Sequence, residues 1–276
     1  MLYKRQFLQS AAVLSVALFL SACQKSAPTP EAAAAAAPAA SSPAPAVRVL
    51  TVGTDPTYAP FEFQNEKGDI VGFDMDVAAA AAHKAGLEVK FVSTPWEGAF
   101  TALAQGDRDL LASAVTITDE RKQTMDFSVP YFEASQLIAV SENAKVTKLD
   151  DLKKSKIGVQ TSTTGEEVVV KLLGKTSPNI KRFESTPLAL AELAAGGVDA
   201  VVADNGVIIH YLANNPNAKF KAINDASFAP EFYGLAFKKG QTELVTQFNQ
   251  GIAGIKADGT YQKIYEQYFK TAAAAK

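Results

Sequence analysis

Arg121 follows Thr116 by one short turn, and a guanidinium placed there can form a bidentate pair with a carboxylate that a lysine would not reproduce. Beside Asp119 and Glu120 the same arginine also reads as an ordinary solvated charge in the first turn of a helix. Asp204 ends the apolar run 198–203 at the carboxyl end of a strand, which is where open α/β sheets bind ligands. A carboxylate there serves a cation or caps the helix that follows. Asp55 precedes Pro56, as a turn former or as an acceptor for a guanidinium, ammonium or amide head. Trp96 is the only tryptophan, a residue for the core or a face for a cation. Thr164 and Glu167 fit a capping box opening a helix over 166–173, whose free amides favour an anion.

Other chemistries lack raw material. His83 and His210 are the only histidines and Cys23 the only cysteine, so zinc sites and Ser-His-Asp or Cys-His catalysis are not expected. Gly-rich phosphate loops, dinucleotide fingerprints and nucleophile elbows are absent. No catalytic residue, cofactor or metal is therefore expected. The formal charge of -2 becomes about -4 once Lys4 and Arg5 are removed with residues 1–22, and its signs are interspersed, which argues against a nucleic-acid surface.

The elements that must position these residues begin after a leader. Residues 1–22 carry Lys4 and Arg5, an apolar run and small residues before Cys23, the pattern of an export signal. Leu20-Ser21-Ala22-Cys23 is similar to a bacterial lipobox, which implies a diacylated Cys23. Residues 23–46 are mostly Ala, Pro and Ser without hydrophobic period and read as a tether. From residue 47, strand-length apolar runs (47–54, 89–92, 110–115) alternate with helical patterns (74–85, closed by Gly86, and one ending at Gly106), the mark of parallel sheets covered by helices. Asp74 is expected to cap the first of these helices, and Thr186-Pro187 to open another. Ser93-Thr94-Pro95 leads to Gly106 and Asp109, and Ser185-Thr186-Pro187 leads to Gly196 and Asp199, roughly ninety residues on. Two such copies predict two similar α/β halves. A helix over 242–257 and a final amphipathic helix after Gly259, with Tyr261, Ile264, Tyr265, Tyr268 and Phe269 at spacings of three and four, are expected to complete the first half.

The motifs Gly53-Thr54-Asp55, Tyr58, Pro60-Phe61-Glu62-Phe63, Gly72-Phe73-Asp74, Thr116-Ile117-Thr118-Asp119-Glu120-Arg121 and Asp126-Phe127-Ser128 follow one another in order. They continue with Gly158-Val159-Gln160, Thr163-Thr164-Gly165-Glu166, Val198-Asp199-Ala200-Val201 and Lys256-Ala257-Asp258-Gly259-Thr260-Tyr261. From 47 to 269 the chain resembles the periplasmic polar amino-acid binding proteins of ABC importers, solute-binding protein family 3. That resemblance implies a two-lobed type II periplasmic-binding fold, lobe 1 from 47–133 and 234–276 and lobe 2 from 138–230, closing on a free amino acid. It implies that Arg121, the Thr116 hydroxyl or amide and the Thr164 amide hold the ligand carboxylate. Asp204 and the Ala114 carbonyl would take the ammonium, and Tyr58 and Trp96 would wall the side chain with Asp55 at its head. Asp55 with Trp96 points to a basic amino acid such as arginine or lysine, with glutamine next. Implied too are a permease partner in the membrane, a lipid anchor on the periplasmic or cell-surface side, and a monomer. Ser113-Ala114-Val115 and Ser162 stand where the family commonly has glycine. An exported dehydratase-like enzyme and a ligand-presenting sensor share this resemblance. Against the first, no pocket acid beyond those assigned is visible; against a fused sensor, no second apolar segment precedes Lys276.

Overall fold

The computed structural model describes residues 48–273, with side chains as far as Phe269. The export signal, Cys23 and the tether lie outside the described residues.

β1 (Val49–Thr54) buries Leu50 and Val52. A small antiparallel sheet follows, β2 (Thr57–Tyr58), β3 (Glu62–Gln64) and β4 (Ile70–Val71), then α1 (Phe73–Lys84), β5 (Glu88–Ser93), α2 (Trp96–Gln105), β6 (Leu110–Leu111), α3 (Arg121–Thr124), β7 (Met125–Phe127) and β8 (Phe132–Ala134). The second half comprises β9 (Gln136–Ser141), β10 (Ile157–Gln160), α4 (Thr164–Leu173), β11 (Ile180–Phe183), α5 (Thr186–Ala195), β12 (Ala200–Asp204), α6 (Asn205–Asn214) and β13 (Phe220–Ile223). The chain returns through β14 (Glu231–Tyr233), β15 (Ala236–Lys238), α7 (Thr242–Ala257) and α8 (Thr260–Ala273).

One sheet runs β5-β1-β6-β15-β7 and the other β11-β10-β12-β9-β13. In both, three parallel strands in the order second, first, third are extended by two antiparallel ones. The internal repeat is the pivot of that likeness. Gly106 and Gly196 end α2 and α5 in the left-handed conformation at φ 89° and 77°, open to glycine at little cost. Asp109 then accepts from the Thr51 N–H at 2.8 Å, and Asp199 from the Lys156 N–H at 2.7 Å, so each aspartate ties its turn to the start of the central strand. β8 and β14 pair antiparallel where the chain passes between the sheets, with Glu231 opposite Ala134. Tyr261, Ile264, Tyr268 and Phe269 of α8 pack on the core built around β1 and α1, while Tyr265 stays partly exposed and meets Phe73 at 6.2 Å.

Four local expectations are corrected. Asp74 caps nothing: it sits inside the first turn of α1, and its carboxylate reaches across the lobe. Ser185, not Thr186, caps α5, and Thr163 caps α4 with its hydroxyl accepting from the Glu166 N–H, so each true cap lies one residue earlier. The strand expected over 110–115 is regular only at Leu110–Leu111, with the Ala112 N–H still on the Gly53 carbonyl at 3.1 Å, because Ala114 adopts a positive φ of 45° and leaves the ladder. Ser113, Ala114, Thr116 and Arg121 are thereby left to line the cavity.

Candidate ligand-binding site

The carboxyl ends of β1, β6, β10 and β12 and the start of α2 converge on one cavity. Asp55, Tyr58, Trp96, Ala114, Thr116, Arg121, Thr164 and Asp204 all line it, joined by Glu62, Ser113, Gln160 and Thr163.

Arg121 is held in place by backbone carbonyls from two sides: Nη1 donates to Thr116 at 3.0 Å and Nη2 to Ser162 at 3.1 Å. Its guanidinium lies 5.4 Å from the Trp96 ring centre and 5.2 Å from that of Phe100. Trp96 is fixed in turn by donating from Nε1 to the Thr161 carbonyl at 3.0 Å. The cation on the tryptophan is thus the protein's own arginine. Among the described residues Arg121 forms no ion pair, and burial pulls its pKa down. With two of five N–H groups on carbonyls and no carboxylate in contact, the fork keeps donors and a charge for an anion, though Glu167, Asp204, Glu231 and Glu120 act on it from further off.

Asp204 makes no capping bond to α6, so the cap reading falls away. Its carboxylate accepts from the Gln136 amide and the Tyr233 hydroxyl, and bonds with Tyr58. Burial first, and the neighbouring Glu231 charge second, raise its pKa to about 6. Glu231, which no feature of the sequence singled out, accepts from Thr164 Oγ1 at 2.7 Å, Thr116 Oγ1 at 3.1 Å and Gln136 Nε2 at 3.1 Å. The two threonine hydroxyls are therefore engaged on Glu231, which leaves backbone amides as their offering to a ligand.

At another wall Asp55 accepts from the Trp96 N–H at 3.2 Å and the Thr57 hydroxyl at 3.1 Å, and burial raises its pKa. Glu62 corrects the expectation that the pocket holds no further acid. It is 1 % exposed, accepts from Ser113 Oγ at 3.1 Å, and is driven well above the usual carboxyl range by burial and by Asp74. Glu62 Oε2 and Asp74 Oδ1 are buried without a donor, and one proton kept on Glu62 satisfies both.

Ala114 and Ser162 occupy positive φ, 45° and 61°, at the places where glycine is common in the family the chain resembles. Ser162 is used only through its backbone, donating from N–H to Glu166 at 2.7 Å and accepting from Arg121. Ser162→Gly is expected to keep both bonds and relieve about 1 kcal/mol of left-handed strain, raising Tm by roughly 2–4 °C in a thermal melt. A melt that falls would refute this account of the turn.

The chain belongs to the bacterial extracellular solute-binding proteins, family 3, whose description matches residues 50–271. A probable histidine-binding protein of Neisseria gonorrhoeae is 42% identical over 264 residues, covering 94% of each chain. The arginine-, lysine-, histidine-binding protein ArtJ of Geobacillus stearothermophilus superposes with a TM-score of 0.78 at 44% identity, over 81% of this chain and 96% of that one. An ancestral amino acid-binding protein described as a precursor of cyclohexadienyl dehydratase gives a TM-score of 0.73 at 39% identity, over 80% and 95%. The fold is accordingly the two-lobed type II periplasmic-binding architecture, and no described helix is long and apolar enough to cross a membrane.

Proposed function

We propose that this protein is the substrate-binding component of an ABC importer and captures a basic amino acid, arginine or lysine first and glutamine next, by closing its cleft. The observation that carries this reading is one cavity holding an unpaired arginine, a buried aspartate beside Glu231, and two further acids, Asp55 and Glu62. A zwitterion supplies the anion for Arg121 and the cation for Asp204. A cationic side chain answers Asp55, and the named ligands of ArtJ and of the Neisseria relative support that class. Residues 47–133 and 234–276 form the first lobe of this clamp and 138–230 the second. Export, a diacyl anchor on Cys23, a monomeric state and delivery to a permease complete the proposal. The one observation favouring a dehydratase-like enzyme is Glu62, a pocket acid kept protonated. Its proton is directed at Asp74, inside the lobe, so binding is the better reading.

Calorimetric titration of the chain from residue 47, unfolded and refolded to strip bound ligand, against arginine, lysine, histidine, glutamine, glutamate and cystine tests this. Submicromolar binding of arginine or lysine is expected; no binding by any member would overturn the reading. Asp55→Asn is expected to lower affinity for arginine and lysine about tenfold and leave glutamine nearly unchanged. Equal losses in both classes would remove Asp55 from the side-chain pocket.

A further inference from the structure

We propose that Asp74 is a positioning residue for the ligand's ammonium, holding Ala114 in the left-handed conformation that leaves its carbonyl as a free acceptor at the cavity wall. The inference rests on reading the cavity as an amino-acid site. Asp74 does not line that cavity; it is fully buried in α1, yet Oδ2 accepts from the Ala114 N–H at 2.7 Å. The Tyr131 hydroxyl, itself buried, donates to the same oxygen at 2.6 Å and fixes the carboxylate's direction. Asp74 Oδ1 lies without another donor beside Glu62, whose proton completes the anchor.

The turn needs such an anchor. An alanine disfavours a φ of 45°, and Ala114 has left the strand ladder that would otherwise restrain it. Its neighbour is pinned separately: Ser113 Oγ accepts from the Asp55 N–H at 3.0 Å and donates to Glu62. With the Ala114 N–H drawn inward to Asp74, no protein donor reaches the Ala114 carbonyl among the described residues. It is then a second acceptor for an ammonium, with Asp204 across the same cavity. Strain at this position is kept because three buried groups, Asp74, Tyr131 and Glu62, over-determine it.

The test compares L-arginine with 5-guanidinopentanoate, the same molecule without its α-ammonium, by calorimetry on folded protein. In Asp74→Ala the affinity for arginine is expected to fall about tenfold while that for 5-guanidinopentanoate changes less than twofold. Asp74→Asn, whose amide oxygen still accepts from Ala114, is expected to retain the wild-type ratio. Ala114→Gly in the Asp74→Ala background is expected to restore most of it, because glycine keeps the turn unaided. If Asp74→Ala does not fold, Ala114→Val, a β-branched residue at the same φ with Asp74 intact, is expected to show the same selective loss. Equal losses for both ligands, or none, would overturn the positioning role while leaving the binding function in place. Where the wild-type protein binds another amino acid of the panel instead of arginine, that amino acid and its des-amino analogue take their place, and a protein that binds no member of the panel would overturn both.

Discussion

Arg121→Ala is expected to weaken binding of every amino acid tested by a factor of roughly 10² to 10³, with little change in fold. The guanidinium is half-buried, lies over Trp96 and Phe100, and is held by carbonyl oxygens rather than by a carboxylate of the protein. Its charge is therefore available to a ligand carboxylate in a site that water screens poorly. Removing one partner of a buried charge pair costs about 3–5 kcal/mol, and each ~1.4 kcal/mol is tenfold in affinity. The loss is uniform because every amino acid presents the same carboxylate, which separates it from the ligand-dependent loss expected for Asp55→Asn. Arg121→Lys should recover only a small part, since a single ammonium cannot hold the Thr116 and Ser162 carbonyls and still present a two-pronged donor. Calorimetry with a thermal melt as folding control measures this. Binding within fivefold of wild type in the alanine variant would remove Arg121 from the carboxylate site.

The sequence carried the fold in its periodicity and punctuation. Gly106 and Gly196 stop equivalent helices, and Asp109 and Asp199 tie equivalent turns to their sheets, so a repeat of five residue types was a repeat of geometry. Two of its slips were by one residue at a cap. Ser185 precedes Thr186 and Thr163 precedes Thr164, and adjacent hydroxyl residues compete for one capping position that only the backbone angles decide.

The candidate site was legible where a motif fixed both residue and neighbour. Asp55, Arg121 and Asp204 all face the cavity; strand-end positions placed the two aspartates there, and the run of residues around Thr116 placed the arginine. Its supporting groups were less so. Glu62 carried a signal, a lone acid between Phe61 and Phe63 that must find a buried partner, but nothing in a linear pattern names Asp74 as that partner. Glu231 carried none: it follows Pro230 in a short crossing strand, and it meets Thr116, Thr164 and Gln136 only because two sheets are brought together there. Long-range pairing of that kind belongs to tertiary structure.

Affinity is expected to be constant from about pH 8 to pH 6.5 and to fall below pH 6, approaching tenfold per pH unit. In the empty cleft Asp204 titrates at about 6, because burial and the Glu231 charge both disfavour its ionised form. An ammonium beside it reverses that balance and pulls its pKa down in the complex. Between the two values the free protein holds a proton that the complex lacks, so binding releases up to one proton and acid competes with ligand. For folding the sign is opposite. A carboxyl whose pKa is raised in the native state favours the empty protein at low pH, and that contribution is lost as pH rises from the ordinary carboxylate range through 6. At a fixed excess, ligand should thus raise the melting temperature less at pH 5 than at pH 7, the difference being that of an about tenfold weaker affinity, roughly 1.4 kcal/mol. Titrations from pH 5 to 8 in two buffers of different ionisation heat measure both the affinity and the proton released. Asp204→Asn cannot titrate: it is expected to bind about a hundredfold more weakly at pH 7 and to show no further loss down to pH 5 if the slope belongs to this residue. The Asp55→Asn background separates Asp55, a further raised carboxyl of the cavity beside Glu62, and a wild-type affinity unchanged from pH 7 to pH 5 would remove Asp204 from the ammonium site.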